Sequence, residues 1–361
     1  MQAKERTWHT GYTCGPAGVD VTGNYPEDGA WLSAILHPWC KLTKPSQGRV
    51  SVHMTRSDAQ AHDLEQQVHR AGTPVACFAL DTRTVVLPSW QNGDSLWITD
   101  PEAGCFYGIS DTSVHLIARA HSPQARLGLL RLVRELLTGG VLGAGKVIDL
   151  HAAAFTRNGK GVLLAGAKGA GKTSLLCHAL FSGGAALLAN DRVFVDLADK
   201  RPIMRGIPTM VAIRPGTLDV FSVLRLSPSD AHSLASAGPP SSPKLHLTPA
   251  EFARRLAAPC VSQAVLQAIV LPEISATLET WALERLSRDV AQARLESYRY
   301  GAAVGRTKAT LFGAWLGGST PSPHAPVTHL AQKVPVYRCT LGSGIYRTSA
   351  LSLLHALGLD D

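Results

Sequence analysis

The sequence predicts an α/β chain in which a larger domain over residues 121–361, built around a glycine-rich loop, follows a smaller α+β domain over residues 1–120. Three observations lead there. The stretch from Gly161 to Asp191 reads as an apolar strand, a loop of the form G-x-x-x-x-G-K-[ST], a helix, a glycine turn and a second apolar strand. Before about residue 120, short strand-like segments alternate with turn residues. Between the two lies an amphipathic helix, Pro123 to Leu137, with Leu127, Leu129, Leu130, Leu132, Val133, Leu136 and Leu137 against Arg126, Arg131, Arg134 and Glu135.

Composition agrees with a packed globular chain: 361 residues, 45% hydrophobic and 17% charged, are enough for two cores. The formal net charge of +8 comes from Lys and Arg dispersed along the chain, which suits anionic small ligands and argues against nucleic acid as a partner. Seven scattered cysteines form no CxxC or Cys/His ligand spacing, so reduced thiols are expected rather than a zinc site or a disulfide framework. No apolar signal-like segment follows Met1, and no apolar run approaches membrane-spanning length. A cytoplasmic protein without a membrane partner is the expectation.

In the first domain the expected strands are 49–54, 84–88, 95–99 and 113–119, with a surface helix over 59–71. Trp8, His9, Trp31, Trp39, His53, Trp90 and Trp97 are expected to fill its core, since large side chains in a small domain usually do. Substrate recognition and homo-oligomer formation are the roles open to this domain. The Pro123–Leu137 helix is expected to end at Gly139-Gly140 and to lead into the second domain. There a strand over 148–155 turns at Thr156–Gly161 and returns as the strand entering the loop.

Beyond Asp191 the sequence indicates a strand to Asp196, an apolar stretch ending at Arg214-Pro215-Gly216, and a helix to about Val223. Residues 227–247 are the most loop-like of the chain, rich in Ser, Pro and Gly. A buried strand over 266–272, a helix over 285–299, a last strand over 334–339 and a short helix over 348–357 complete the expectation.

The chemistry concentrates in the loop. Its residues Gly166, Ala167, Lys168, Gly169, Ala170, Gly171, Lys172, Thr173 and Ser174 can curl consecutive backbone N–H groups around phosphate oxygens at the positive end of a helix dipole. Lys172 is then expected to reach the β- and γ-phosphates of a nucleoside triphosphate and Thr173 to ligate Mg²⁺. In common phosphate-loop enzymes the metal-associated Asp ends a strand far along the chain, whereas here the very next strand runs straight into Asn190-Asp191.

With these features the chain resembles the HPr kinase/phosphorylase superfamily, whose phosphate-loop fold is shared with phosphoenolpyruvate carboxykinase. The resemblance rests on His151-Ala152 before the loop, the Gly161-Val-Leu-Leu run, the loop itself, Leu188-Ala-Asn-Asp-Arg-Val193 and Met204-Arg205-Gly206. It is close over about 65 residues and extends to the C-terminus only in outline, while residues 1 to about 120 are unlike the family's usual N-terminal domain. It implies that His151 approaches the phosphates or metal, that Asp191 helps hold Mg²⁺, and that Arg205 neutralises transferred phosphate. Arg214 is a further candidate for that neutralisation.

Asn190 departs from the family, which carries Asp there. An amide can orient a hydroxyl but cannot take its proton. Three arrangements stay open: Asp191 combining the metal and base roles, His151 as the base, or transfer with little base assistance. Ile203, where the family has Glu, is a second departure. The resemblance implies an ATP- and Mg²⁺-dependent kinase acting on a hydroxyl of a peptide, small protein or small metabolite. Relatives of this type include tailoring enzymes of modified peptides. The alternative is a nucleotide-binding regulatory protein that has lost catalysis. A nucleotide hydrolase is the third reading, with Leu266–Pro272 and Glu273 its candidate acidic strand.

Overall fold

The structure, a computed structural model, describes residues 7–46, 49–78, 84–101, 103–143, 146–225, 244–300, 327–342 and 351–359. These divide into two compact units, the first ending before Lys146 and the second beginning there. Both mix strands and helices.

The first unit holds β1 (Trp8–Cys14), β2 (Ala17–Gly23), α1 (Pro26–Leu36), β3 (Lys41–Thr43), β4 (Val50–Arg56), α2 (Asp58–Ala71), β5 (Thr73–Phe78), β6 (Thr84–Asn92), β7 (Ser95–Asp100), β8 (Cys105–Ile109), β9 (Ser113–Ala118) and α3 (Ala125–Gly143). The strands form one sheet in the order β3-β1-β2-β4-β9-β8-β7-β6-β5, in which the β2–β4 and β4–β9 pairs are parallel. Burial alternates along β7 and β9, as a sheet with one face on a core requires. Helix α1 starts on Pro26 with Glu27 and Asp28 in its first turn, and the Ser57 hydroxyl accepts from the Gln60 N–H to cap α2.

Helix α3 runs through Gly139 and Gly140 to Gly143 and packs on β2, so it belongs to this unit and does not open the second. A Cβ on Gly140 would come within 2.7 Å of the Ala17 side chain. Gly140 thus lets helix and sheet approach closely, Gly139 faces open space, and neither ends the helix. Of the aromatic side chains, Trp39 and Trp90 are buried, whereas Trp8, Trp31 and Trp97 are half-buried and His9 is exposed. One row of cross-strand neighbours, His9–Thr22–His53–His115, crosses β1, β2, β4 and β9. The imidazoles of His53 and His115 stand 5.0 Å apart between ring centres.

The second unit contains β10 (Val147–Arg157), β11 (Lys160–Ala165), α4 (Lys172–Ser182), β12 (Ala186–Ala189), β13 (Arg192–Asp196), β14 (Ile203–Gly206), β15 (Val211–Ile213), α5 (Pro215–Val220), a 3-10 turn (Ser222–Leu224), β16 (Leu245–Leu247), α6 (Pro249–Arg255), β17 (Gln263–Ile274), β18 (Trp281–Arg285), α7 (Arg288–Glu296), α8 (Val327–Lys333), β19 (Val336–Leu341) and α9 (Leu351–Ala356). The order is β11-β10-β13-β14-β17-β19-β18, and β17 also pairs with β11, so five of these strands close into a ring. Asn158 and Gly159, at φ of 50° and 73°, make the two-residue turn from β10 to β11, with the backbone sense that fits hairpin twist.

The helix expected over 285–299 is shorter than its sequence pattern. Arg285 ends β18, and residues 298–300 leave α7 to run against β10, with His151 N–H donating to Tyr298 O and Tyr300 N–H to Asp149 O. The sequence-predicted loop over 227–247 lies mostly outside the described residues, as does the start of the last helix. Among the described residues, Cys14, Cys40, Cys105, Cys177 and Cys339 are buried thiols and Cys260 is half-buried, none of them in a disulfide. Among the described residues no helix is long and apolar enough to cross a membrane.

Candidate functional site

The glycine loop forms where β11 leaves the sheet. Strand β11 is buried between β10 and β17, and its chain then turns through Gly166–Gly171 into α4. Two positions need glycine for their backbone: Gly169 at φ 92° and Gly171 at φ 101°, the latter also 3.0 Å from Leu341 Cδ1 if given a Cβ. Ala167, Lys168 and Gly169 are exposed at the loop's tip, while Lys172, Thr173 and Ser174 are half-buried in the first turn of α4. The N–H groups of that turn are the helix's unsatisfied donors and face outward from its positive end.

Lys172 Nζ donates to the carbonyls of Gly166 and Ala167, the second at 3.2 Å. Burial pulls its ammonium below the ordinary lysine value, and the Asp191 carboxylate pushes it back up. The two residues therefore share one electrostatic environment, although they stand on different elements.

Asp191 reaches this place through an interrupted strand. Strands β12 and β13 lie in succession along the same side of β10, and Asn190 and Asp191 fill the break between them. Ala152 N–H donates to Asp191 O at 3.0 Å, which holds the break against β10. From Val147 to Thr156, β10 is buried at every residue except His151. His151 Nε2 lies 3.2 Å from Asp191 Oδ1, each side chain a little over one-third exposed. The sequence-predicted residues His151 and Asp191 are thus brought together, and Lys172 feels the Asp191 charge.

Asn190 turns its side-chain oxygen to the Thr209 hydroxyl, which donates at 3.0 Å from a buried position. One lone pair of its amide oxygen is thereby engaged. Arg214, just before α5, points a guanidinium nitrogen to within 3.9 Å of where a Gly169 Cβ would stand, so it overhangs the loop tip.

Arg205 does not join this group. Strand β14 pairs antiparallel with β17, which sets Arg205 opposite Gln263, and its guanidinium donates to the Gln263 amide oxygen. Gln263 begins β17, two residues before the Val265–Lys160 pair, whereas the loop leaves from the other end of that β11–β17 ladder. Of the two candidate arginines, Arg214 therefore lies beside the loop and Arg205 does not. Glu273, near the end of β17, is ion-paired with Arg294 at 3.4 Å.

The sequence reading missed Tyr300. Its hydroxyl donates to Asp191 Oδ2 at 2.9 Å and its ring lies 5.6 Å from that of His151. Burial, and then the neighbouring Asp191 charge, hold its phenol well above the ordinary tyrosine value, so it remains a proton donor. Beneath the ring, at 4.5 Å, sits the guanidinium of Arg192, and Asp149 holds that guanidinium in a buried fork.

No family model matches the chain, and no curated protein matches it. Among solved structures, the HPr(Ser) kinase/phosphatase from Coxiella burnetii is similar at 11% sequence identity, over 59% of this chain and 99% of that one, with a TM-score of 0.29. So distant a likeness assigns no family, and the residues themselves carry the reading of the site.

Proposed function

We propose that the chain is an ATP- and Mg²⁺-dependent phosphotransferase, a phosphate-loop kinase of the HPr kinase type, acting on a hydroxyl of a peptide, small protein or small metabolite. The observation that carries this is the His151–Asp191 pair, 3.2 Å apart, whose carboxylate acts on Lys172 where the glycine loop opens a helix. In such a site the loop amides and Lys172 hold the β- and γ-phosphates, and Arg214 meets charge at the loop tip. Thr173 and Asp191 offer one hydroxyl and one carboxylate. Among the described residues no cluster of three or more His, Cys, Asp or Glu could hold a metal alone. One carboxylate and one hydroxyl are nonetheless the donors with which Mg²⁺ is held jointly with substrate phosphates. When bound, it neutralises charge on the transferring phosphoryl group.

In the transfer, the acceptor oxygen bonds to the γ-phosphorus, the bond to the β,γ-bridging oxygen breaks, and ADP leaves. The acceptor proton passes to the His151–Asp191 pair, whose 3.2 Å separation lets the two share it. Asn190 cannot take it, because an amide oxygen engaged by Thr209 is no base.

That same contact supports a second reading, a nucleotide-binding regulatory protein without transfer. Labelled ATP, Mg²⁺ and candidate acceptors, with Lys172→Ala and Asp191→Ala as controls, separate the two. Transfer lost in both variants supports the kinase. Transfer surviving both refutes the site assignment, and ATP binding with no transfer by the wild type to any acceptor supports the regulatory reading.

A further inference from the structure

Beside the loop, five side chains from three segments are linked in sequence: Asp149, Arg192, Tyr300, Asp191 and His151. Asp149 is 2% exposed at its side chain and grips Arg192, itself 7% exposed, through Nε to both carboxylate oxygens and through Nη2. Arg192 supports the Tyr300 ring from below. The Tyr300 backbone is tied to Asp149 O, so the residue is anchored at both main chain and ring. Its hydroxyl donates to Asp191 Oδ2, and Asp191 Oδ1 is left directed to His151.

This arrangement follows from register. His151 and Arg192 are cross-strand partners on β10 and β13, and Asp149 lies two residues before His151 on the same face. Residues 298–300 take over the flank of β10 where β11 has departed for the loop; Ala152 pairs with Ala165, while Leu150 bridges Arg299. Tyr300 therefore lies opposite Asp149, and from there its hydroxyl reaches Asp191.

We propose that Tyr300 is a positioning residue for Asp191: clamped on the Arg192–Asp149 pair, it fixes the carboxylate rotamer so that Oδ1 faces the loop and His151. The proposal rests on the reading of Asp191 as a metal-holding residue. Partners that orient a ligating carboxylate commonly change metal affinity about 10–100-fold when removed. A partner that only stabilises the fold leaves that affinity alone.

The test is the Mg²⁺ dependence of binding of a fluorescent ATP analogue by the full chain. Tyr300→Phe keeps the ring over Arg192 and removes only the donor, so the fold is retained. The expected result is metal-free nucleotide affinity within about twofold of wild type, and a Mg²⁺ concentration for half-maximal tightening raised about tenfold. Arg192→Leu is expected to reproduce the Mg²⁺ effect if it folds; Tyr300→Phe decides the matter if it does not. An unchanged Mg²⁺ dependence in Tyr300→Phe, with or without a lowered melting temperature, overturns the positioning role alone. A wild type that binds no nucleotide, or binds it identically with and without Mg²⁺, overturns the proposed function together with this inference.

Discussion

Cutting the Asp149–Arg192 pair exposes how much of the second unit's stability is invested beneath the site. Asp149→Ala leaves a guanidinium buried at 7% exposure without its carboxylate. Removing one partner of a buried ion pair costs about 3–5 kcal/mol, because the remaining charge stays desolvated. For a unit of this size each kcal/mol corresponds to about 2–4 °C in Tm, so the expected fall is about 6–20 °C. Differential scanning calorimetry on purified protein measures it. Replacing both partners, Asp149→Leu with Arg192→Met, should restore most of the lost stability, since apolar residues of similar size substitute well for buried pairs. That double variant still lacks the cation under Tyr300, so its Mg²⁺ response should stay impaired. A fall of less than about 2 °C for Asp149→Ala would refute the reasoning, since a pair so enclosed cannot be lost so cheaply.

Other expectations concern single groups. Under the proposed function, in which the His151–Asp191 pair takes the proton, Asn190→Asp should raise the transfer rate by less than about tenfold; a gain of about a hundredfold would show that the wild-type site lacks a base. Arg214→Ala should weaken ATP about 3–10-fold and Arg205→Ala less than about twofold, measured by isothermal titration, since only Arg214 overhangs the loop. His53 should make the first unit acid-sensitive. Burial, and then the charges of His115 and His9, lower its pKa from the ordinary 6.5, so the unfolded chain takes up a proton before the folded one does. Its contribution is present above about pH 6.5 and declines as pH falls below it; His53→Gln should flatten that part of a Tm-against-pH curve.

How much of this was legible in the sequence depends on how local each signal is. The glycine loop with Lys172, the Asn158-Gly159 turn and the nearby Asp191 are visible because local spacing encodes them, whereas His151 comes only from the family resemblance. Glycine misleads once: Gly139-Gly140 looks like a helix stop, yet the helix runs on and the missing side chain of Gly140 serves contact with Ala17. Arg205 looked functional from its neighbours Met204 and Gly206, but strand pairing decides where it stands, and that pairing is with residues nearly 60 positions away. Tyr300 carried no signal at all. It sits 109 residues from Asp191, at the end of a pattern that reads as one continuous helix, and only the closing of residues 298–300 on β10 gives it a role. The Arg192–Asp149 pair is likewise not foreseen, because only strand register sets the two together.

The most direct test of the proposed site is a titration of ATP into the wild-type protein with and without Mg²⁺, repeated with Lys172→Ala and Asp191→Ala. Saturable binding that Mg²⁺ tightens is expected for the wild type. Lys172→Ala should abolish binding, and Asp191→Ala should keep metal-free binding while losing the response to Mg²⁺. Binding by both variants with wild-type affinity and wild-type Mg²⁺ dependence would contradict the account.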